Sequence, residues 1–148
     1  MSTLQIPWWL DVQCLERICL KKPKAILFDY DGTLSDTMNI HYSAWIKALN
    51  NYNHSFKKKD FFKLEGHSLE LICLNFLKSK QNADYDIKKI INLKKNIFNK
   101  SVIKDNYYPH VLKIIKLLKK SKIKIALVTS SHKAQINNSS SSFFLDYF

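Results

Sequence analysis

Two short apolar runs constrain this chain more than any other feature. Lys24-Ala-Ile-Leu-Phe-Asp29 and Ile123-Lys-Ile-Ala-Leu-Val-Thr129 each end abruptly in polar residues, the second in the turn Ser130-Ser131-His132. Runs bounded in this way read as buried strands of a parallel sheet. The stretch between them reads as helix. Ile40, Ala44, Trp45, Ala48, Leu49 and Tyr52 recur at helical spacing, with Asp36 placed as an N-cap. Leu69, Ile72, Cys73, Phe76 and Leu77 form a second stripe, and Ile87, Ile90, Ile91, Lys94, Ile97 and Phe98 a third. Pro109 opens a fourth helix whose apolar face carries Leu112, Ile115 and Leu118. A helix feeding directly into the second strand is half of a βαβ unit, so the expected class is α/β with a parallel sheet. The expected organisation is a leader over residues 1–22, a core from 23–35 and 107–148, and a helical insert over 36–106.

Bulk charge invites a different reading. The 148 residues carry 24 basic against 12 acidic side chains, a net charge of +12. Arg17 is the sole arginine, whereas nucleic-acid readers use arginine for its bidentate fork. The lysines are spread from Lys21 to Lys133 among many Ile and Asn, which reads as drift toward AT-rich codons on solvated faces. A GC-rich genome encoding this chain would contradict that hypothesis. Cys14, Cys19 and Cys73 form no CxxC pair and are expected to be reduced, buried thiols. The leader lacks the layout of a signal peptide, and no apolar run approaches the ~20 residues of a membrane span. A cytoplasmic location, no nucleic acid, no membrane and a monomeric state are therefore expected.

Chemistry concentrates in Phe28-Asp29-Tyr30-Asp31-Gly32-Thr33-Leu34-Ser35-Asp36-Thr37. Two carboxylates two residues apart, just past a strand, project toward the crevice where α/β sheets bind ligands. Gly32 allows a sharp turn there. An EF-hand beginning at Asp29 would need glycine at its sixth position and glutamate at its twelfth, which hold Leu34 and Ile40. A purely structural Asp-Gly turn leaves the apolar strand and the Thr-Leu-x-Asp-Thr continuation without a reason. The remaining reading is a nucleophilic carboxylate with an acid–base neighbour and a hard metal ion.

Asp29-Tyr-Asp31-Gly-Thr-Leu-Ser-Asp36-Thr37 closely resembles the first motif of the haloacid dehalogenase-like superfamily of phosphohydrolases and phosphomutases. Ile125-Ala-Leu-Val-Thr129-Ser130-Ser131 resembles its second motif, a strand ending in a hydroxyl residue. Tyr108-Pro109-His110-Val111-Leu112 resembles the start of the preceding helix, where the family commonly has glycine in place of His110. The intervening helices resemble the cap of the β-phosphoglucomutase-like subgroup. His41-Tyr-Ser-Ala-Trp45 is similar to its His-x-x-Ala-Trp, and Leu64-Glu-Gly66-His-Ser68 to its substrate loop. The resemblance implies a partial Rossmann-like core carrying an inserted helical cap.

It also implies roles. Asp29 would attack phosphorus and form an aspartyl-phosphate, and Asp31 would act as acid, then base. Mg²⁺ would sit on the Asp29 carboxylate and the Asp31 backbone carbonyl. Thr129 and the backbone at Ser130 would hold phosphate oxygens, and Thr33 would support the loop. Gly32 and Gly66 would shape the phosphate and substrate loops, although helix-breaking alone could account for Gly66. Ser131 suits either a substrate contact or a helix N-cap, and His41 either packing or substrate orientation. Trp45 is expected in the core, and His67 and His132 at the surface. The substrate would be a small phosphorylated metabolite, a sugar phosphate above all. The alternatives are a sugar phosphomutase or a phosphate-binding remnant without turnover.

The sequence departs from the pattern in two places. Leu69 stands where the subgroup often has arginine. The family's later lysine and acidic metal ligands would follow the stretch that here is Phe144-Leu145-Asp146-Tyr147-Phe148. On that comparison the chain is expected to be truncated, with little or no turnover.

Overall fold

The computed structural model describes residues 17, 20, 23–77, 85–101, 107–131, 136 and 145–148. The leader apart from Arg17 and Leu20, with Cys14 and Cys19, lies outside the described residues, as do His132 and Lys133. In chain order the elements are β1 (Ala25–Phe28), α1 (Met38–Asn50), α2 (Lys58–Phe62), α3 (Leu69–Leu77), α4 (Ile87–Ser101), α5 (Val111–Lys120) and β2 (Lys124–Leu127). The chain divides into two compact units, Met1–Thr37 with Ile103–Phe148, and Met38–Val102.

In the first unit β1 and β2 pair in parallel, with Ile26 opposite Ile125 and Phe28 opposite Leu127. Side chains alternate across a strand, so these four share one sheet face. That face packs on Val111, Ile114, Ile115 and Leu118 of α5. The opposite face is open among the described residues, and Leu27 stays 47% exposed. The strands are therefore half-buried rather than covered on both sides, because α5 lines only one face. Leu145, Tyr147 and Phe148 pack against the same core, and the Phe148 ring meets Phe28 edge-on at 5.9 Å.

α5 begins in an unusual way. His110, the residue before Val111, has φ of 70° and no side-chain capping bond. A left-handed backbone suits glycine and strains histidine, which explains why the resembled motif places glycine there.

The second unit is helical. Trp45, Leu49, Phe61, Ile72, Cys73, Phe76, Ile90 and Ile91 form its core. Phe56 stacks on Phe76 with ring centres 3.5 Å apart, and Trp45 meets Phe76 edge-on at 6.3 Å. The short α2, which the periodicity does not reveal, buries Phe61. Five residues are too few to establish a period. His54 Nε2 and the Tyr85 hydroxyl share a hydrogen bond of 2.8 Å that ties the turn after α1 to the start of α4. Cys73 is a free, buried thiol. Burial, and secondarily the charge of Glu70, pushes its pKa up to about 11. Among the described residues, no helix is long and apolar enough to cross a membrane.

Candidate active site

The loop after β1 is folded around a single carbonyl. Tyr30 C=O accepts from the N–H groups of Leu34 and Ser35, each at 2.9 Å, and more weakly from Thr33 at 3.3 Å. Gly32, at φ of 73°, makes that tight return possible, and its N–H donates to Ser35 C=O at 2.9 Å. Tyr30, Leu34 and Ser35 are almost fully buried beneath the loop. Their burial fixes the outward course of the residues between them.

Asp29 and Asp31 then diverge in environment. Asp29 is exposed at the end of β1, and its Oδ1 accepts the Tyr30 N–H at 2.7 Å. Asp31 is half-buried and held from two sides. The Thr37 hydroxyl donates to its Oδ1 at 2.5 Å, and the Ser131 hydroxyl donates to its Oδ2. Two donors on one carboxylate fix its rotamer.

Parallel pairing brings the second motif to the same place. Val128 N–H donates to Phe28 C=O at 2.8 Å, so Asp29 and Thr129 leave the sheet at the same end. The Ser131 N–H donates to Thr129 Oγ1 at 3.1 Å, which closes the turn and leaves the Thr129 hydroxyl hydrogen available to donate. Ser130 lies exposed in that turn. The structure thus gathers Asp29, Asp31, Gly32, Thr129, Ser130 and Ser131 at the carboxyl ends of two parallel strands, where open α/β sheets bind ligands. Ser131 turns its hydroxyl to Asp31. Asp36, expected as an N-cap of a helix that begins at Met38, accepts the Tyr108 hydroxyl at 3.2 Å.

His41 and Gly66 belong to the second unit. Gly66 has φ of 81°, and nothing lies within 4 Å of where a Cβ would stand. Its requirement is conformational rather than steric. His41 stacks on Phe98 at 4.0 Å, and its Nδ1 shares a hydrogen bond of 2.8 Å with Lys94 Nζ. Lys94 is only 3% exposed and lies 4.9 Å over the Phe98 ring.

Two functional candidates carry no role on sequence grounds alone. Thr37 is the last residue of the quoted motif, yet nothing in its spacing shows that it reaches back to Asp31. Lys94 gives a clearer signal, because a lysine in an apolar helical stripe is buried unless it snorkels. A cavity of about 520 Å³ lined by Asn51, Tyr52, Lys89, Asn92, Leu93 and Asn96 also lies in the second unit. It holds no carboxylate and takes no part in this chemistry.

Comparison with known proteins decides the family. The family model described as haloacid dehalogenase-like hydrolase matches residues 26–148. This chain belongs to the haloacid dehalogenase-like hydrolase family. A phosphorylated carbohydrates phosphatase from Thermotoga maritima is 26% identical over 112 residues, 73% of this chain and 50% of that protein. Among solved structures, a β-phosphoglucomutase from Clostridium difficile matches at 26% identity and TM-score 0.67, over 78% of this chain and 54% of its own. A haloacid dehalogenase-like hydrolase of family IA, variant 3, from Entamoeba histolytica matches at 25% identity and TM-score 0.62, over 85% and 58%. The chain therefore spans about half the length of the relatives it matches. These neighbours agree with the β-phosphoglucomutase-like subgroup and with a partial Rossmann-like α/β core, as the motifs implied.

Proposed function

We propose that this chain carries the phosphoryl-transfer centre for a small phosphorylated carbohydrate, weakly active at most over these 148 residues, with Asp29 as nucleophile and Asp31 as acid–base group. The observation that carries this is the convergence of the Ser131 and Thr37 hydroxyls on Asp31, beside an exposed Asp29. A general acid–base needs a fixed direction, and a nucleophile needs access. The Thermotoga maritima relative supports a phosphorylated carbohydrate as the substrate class.

In the first step an Asp29 oxygen bonds to phosphorus while the bond to the sugar oxygen breaks, and Asp31 delivers its proton to that leaving oxygen. In the second, Asp31 takes a proton from water as the water oxygen attacks phosphorus, and the bond to Asp29 breaks. Thr129 and Ser130 hold the non-bridging oxygens. On the helical insert, which we take as the cap, His41 and Gly66 orient the sugar.

The donors present fit Mg²⁺. The Asp29 carboxylate and the Asp31 backbone carbonyl are hard oxygens, and magnesium sites often use few protein ligands completed by water and phosphate. When bound, the cation offsets the repulsion between phosphate and carboxylate. Small phosphorylated metabolites place this chemistry in the cytoplasm.

A second reading, a sugar phosphomutase, is favoured by the β-phosphoglucomutase neighbour. The test is to incubate the 148-residue chain with Mg²⁺ and acetyl phosphate or a sugar phosphate, and to map the adduct by mass spectrometry. A phosphoryl group on Asp29, absent in Asp29→Asn, is expected. Released inorganic phosphate then marks a phosphatase, and an isomerised sugar phosphate a mutase. Phosphate binding by the folded chain without any adduct would sink both readings and leave a phosphate-binding remnant.

A further inference from the structure

The fold gathers what the sequence scatters. Residues 107–131 hold six lysines and neither aspartate nor glutamate. Four of them, Lys113, Lys116, Lys119 and Lys120, lie on α5, where all are exposed. At about 100° per residue Lys113, Lys116 and Lys120 occupy the side opposite Val111, Ile114, Ile115 and Leu118, which the core consumes, and Lys119 lies on the flank. Lys122 extends the row through the exposed turn after the helix, with its backbone at φ of 57°. The row ends at the pole of the sheet opposite Asp29, because β1 and β2 run parallel and α5 leads into the start of β2.

Fold stability does not explain this row. Lys119 and Lys120 complement the negative end of the helix dipole, but Lys113 sits in the first turn, where that dipole favours an acid. Lys113 with Lys116, and Lys116 with both Lys119 and Lys120, are like charges at neighbouring helical positions, which oppose helix formation. At the end of α2, by contrast, Lys63 just past the helix pairs with Asp60 within it at 3.5 Å. Among the described residues no lysine of the α5 row is held in an ion pair. A bound polyanion would relieve all of these repulsions at once.

We propose that the outer face of α5 and the Lys122 turn bind the phosphate backbone of double-stranded nucleic acid without sequence preference. Lysine without arginine suits point contacts to phosphate rather than reading of base edges. No exposed aromatic on α5 offers a platform for unstacked bases, which favours a duplex over a single strand. A membrane fits less well, since a helix lying on lipid buries an apolar face, and α5 has already spent its own on the core. Lys113, Lys116 and Lys120 form a straight row of roughly 10 Å, a length that meets several phosphates.

The test is fluorescence anisotropy of the 148-residue chain with a labelled duplex of about 20 base pairs, between about 50 and 200 mM salt. The expected plot of log K against log salt is linear with a slope of about −4, for four to five phosphate contacts. Lys113→Gln/Lys116→Gln/Lys120→Gln should lessen that slope by about 3 and weaken binding at least about tenfold at the lower salt. The corresponding triple arginine variant should retain both. Lys57→Gln/Lys58→Gln/Lys59→Gln, which removes equal charge from the second unit, should change neither. Absence of binding at low salt would overturn the proposal. So would equal loss in the two glutamine variants, strong discrimination between unrelated duplexes, or tighter binding to phosphatidylserine vesicles than to duplex.

Discussion

The Ser131 hydroxyl donates to the Asp31 carboxylate across 100 residues of sequence. The second strand thereby orients a carboxylate carried by the first. Thr37 donates to the other oxygen of the same group at 2.5 Å, so two segments far apart in sequence hold one carboxylate.

Removing either hydroxyl should therefore act on one shared group. Thr37→Val should cost about 1.5–3 kcal/mol of stability, since a buried hydroxyl donating to a carboxylate is lost. Phosphorylation of Asp29 should slow by at least about tenfold as Asp31 loses its aim. Thr37→Ser should restore both. In a double-mutant cycle with Ser131→Ala, rates that multiplied independently would show that the two hydroxyls do not act through Asp31.

Ile115 has no exposed surface and lies at the centre of the first unit's core. Ile115→Ala should lower unfolding free energy by about 2–5 kcal/mol, the loss of transfer energy plus a cavity. Urea titration followed by Trp fluorescence and far-UV circular dichroism measures it. An effect under about 1 kcal/mol would mean that this core is not packed as described.

Gly66 tests conformation apart from space. With φ of 81° and no atom near a built Cβ, Gly66→Ala should destabilise by about 1–2 kcal/mol through backbone strain alone. Gly66→Asn should cost less, because asparagine tolerates the left-handed region. Thermal melts of both variants make the comparison.

Cys73 gives a pH dependence with a definite sign. Its thiol is raised from 9.0 to about 11 in the folded chain. The unfolded thiol ionises first as pH rises, so the Cys73 contribution is fully present below pH 9.0 and is lost toward about 11. Cys73→Ala should flatten the fall in stability over that window. At pH 8 the native thiol should resist iodoacetamide and react once the chain is unfolded.

Much of this was legible from local pattern, and the exceptions have physical causes. The two strands, four of the five helices and the paired carboxylates follow from apolar runs, helical period and a turn rich in Asp and Gly. The grip on Asp31 is not legible, because it depends on which strand end lies beside which, and periodicity carries no register. Lys94 occupies a core position in the α4 stripe, but its partner His41 lies 53 residues away on another helix. Leu27 shows the converse. An apolar run alone does not reveal that α5 covers a single face, so half-burial cannot be read from it. The spread of lysines along the chain likewise conceals their collection on one side of α5.

The clamp at the base of the insert has a further consequence. Ser35 pairs with Tyr107 in an antiparallel bridge, and Tyr108 N–H donates to Leu34 C=O at 3.1 Å. The two points where the long helical excursion departs and returns are thus stitched together beside the loop that carries Asp29 and Asp31. Loop closure grows only logarithmically with length, so once the mouth is tied, a longer, shorter or unrelated insert adds little penalty. The insert can then be revised as a separate module, while the carboxylate pair stays as it is. The stitch makes the helical insert a part that can be exchanged without disturbing the loop that carries Asp29 and Asp31.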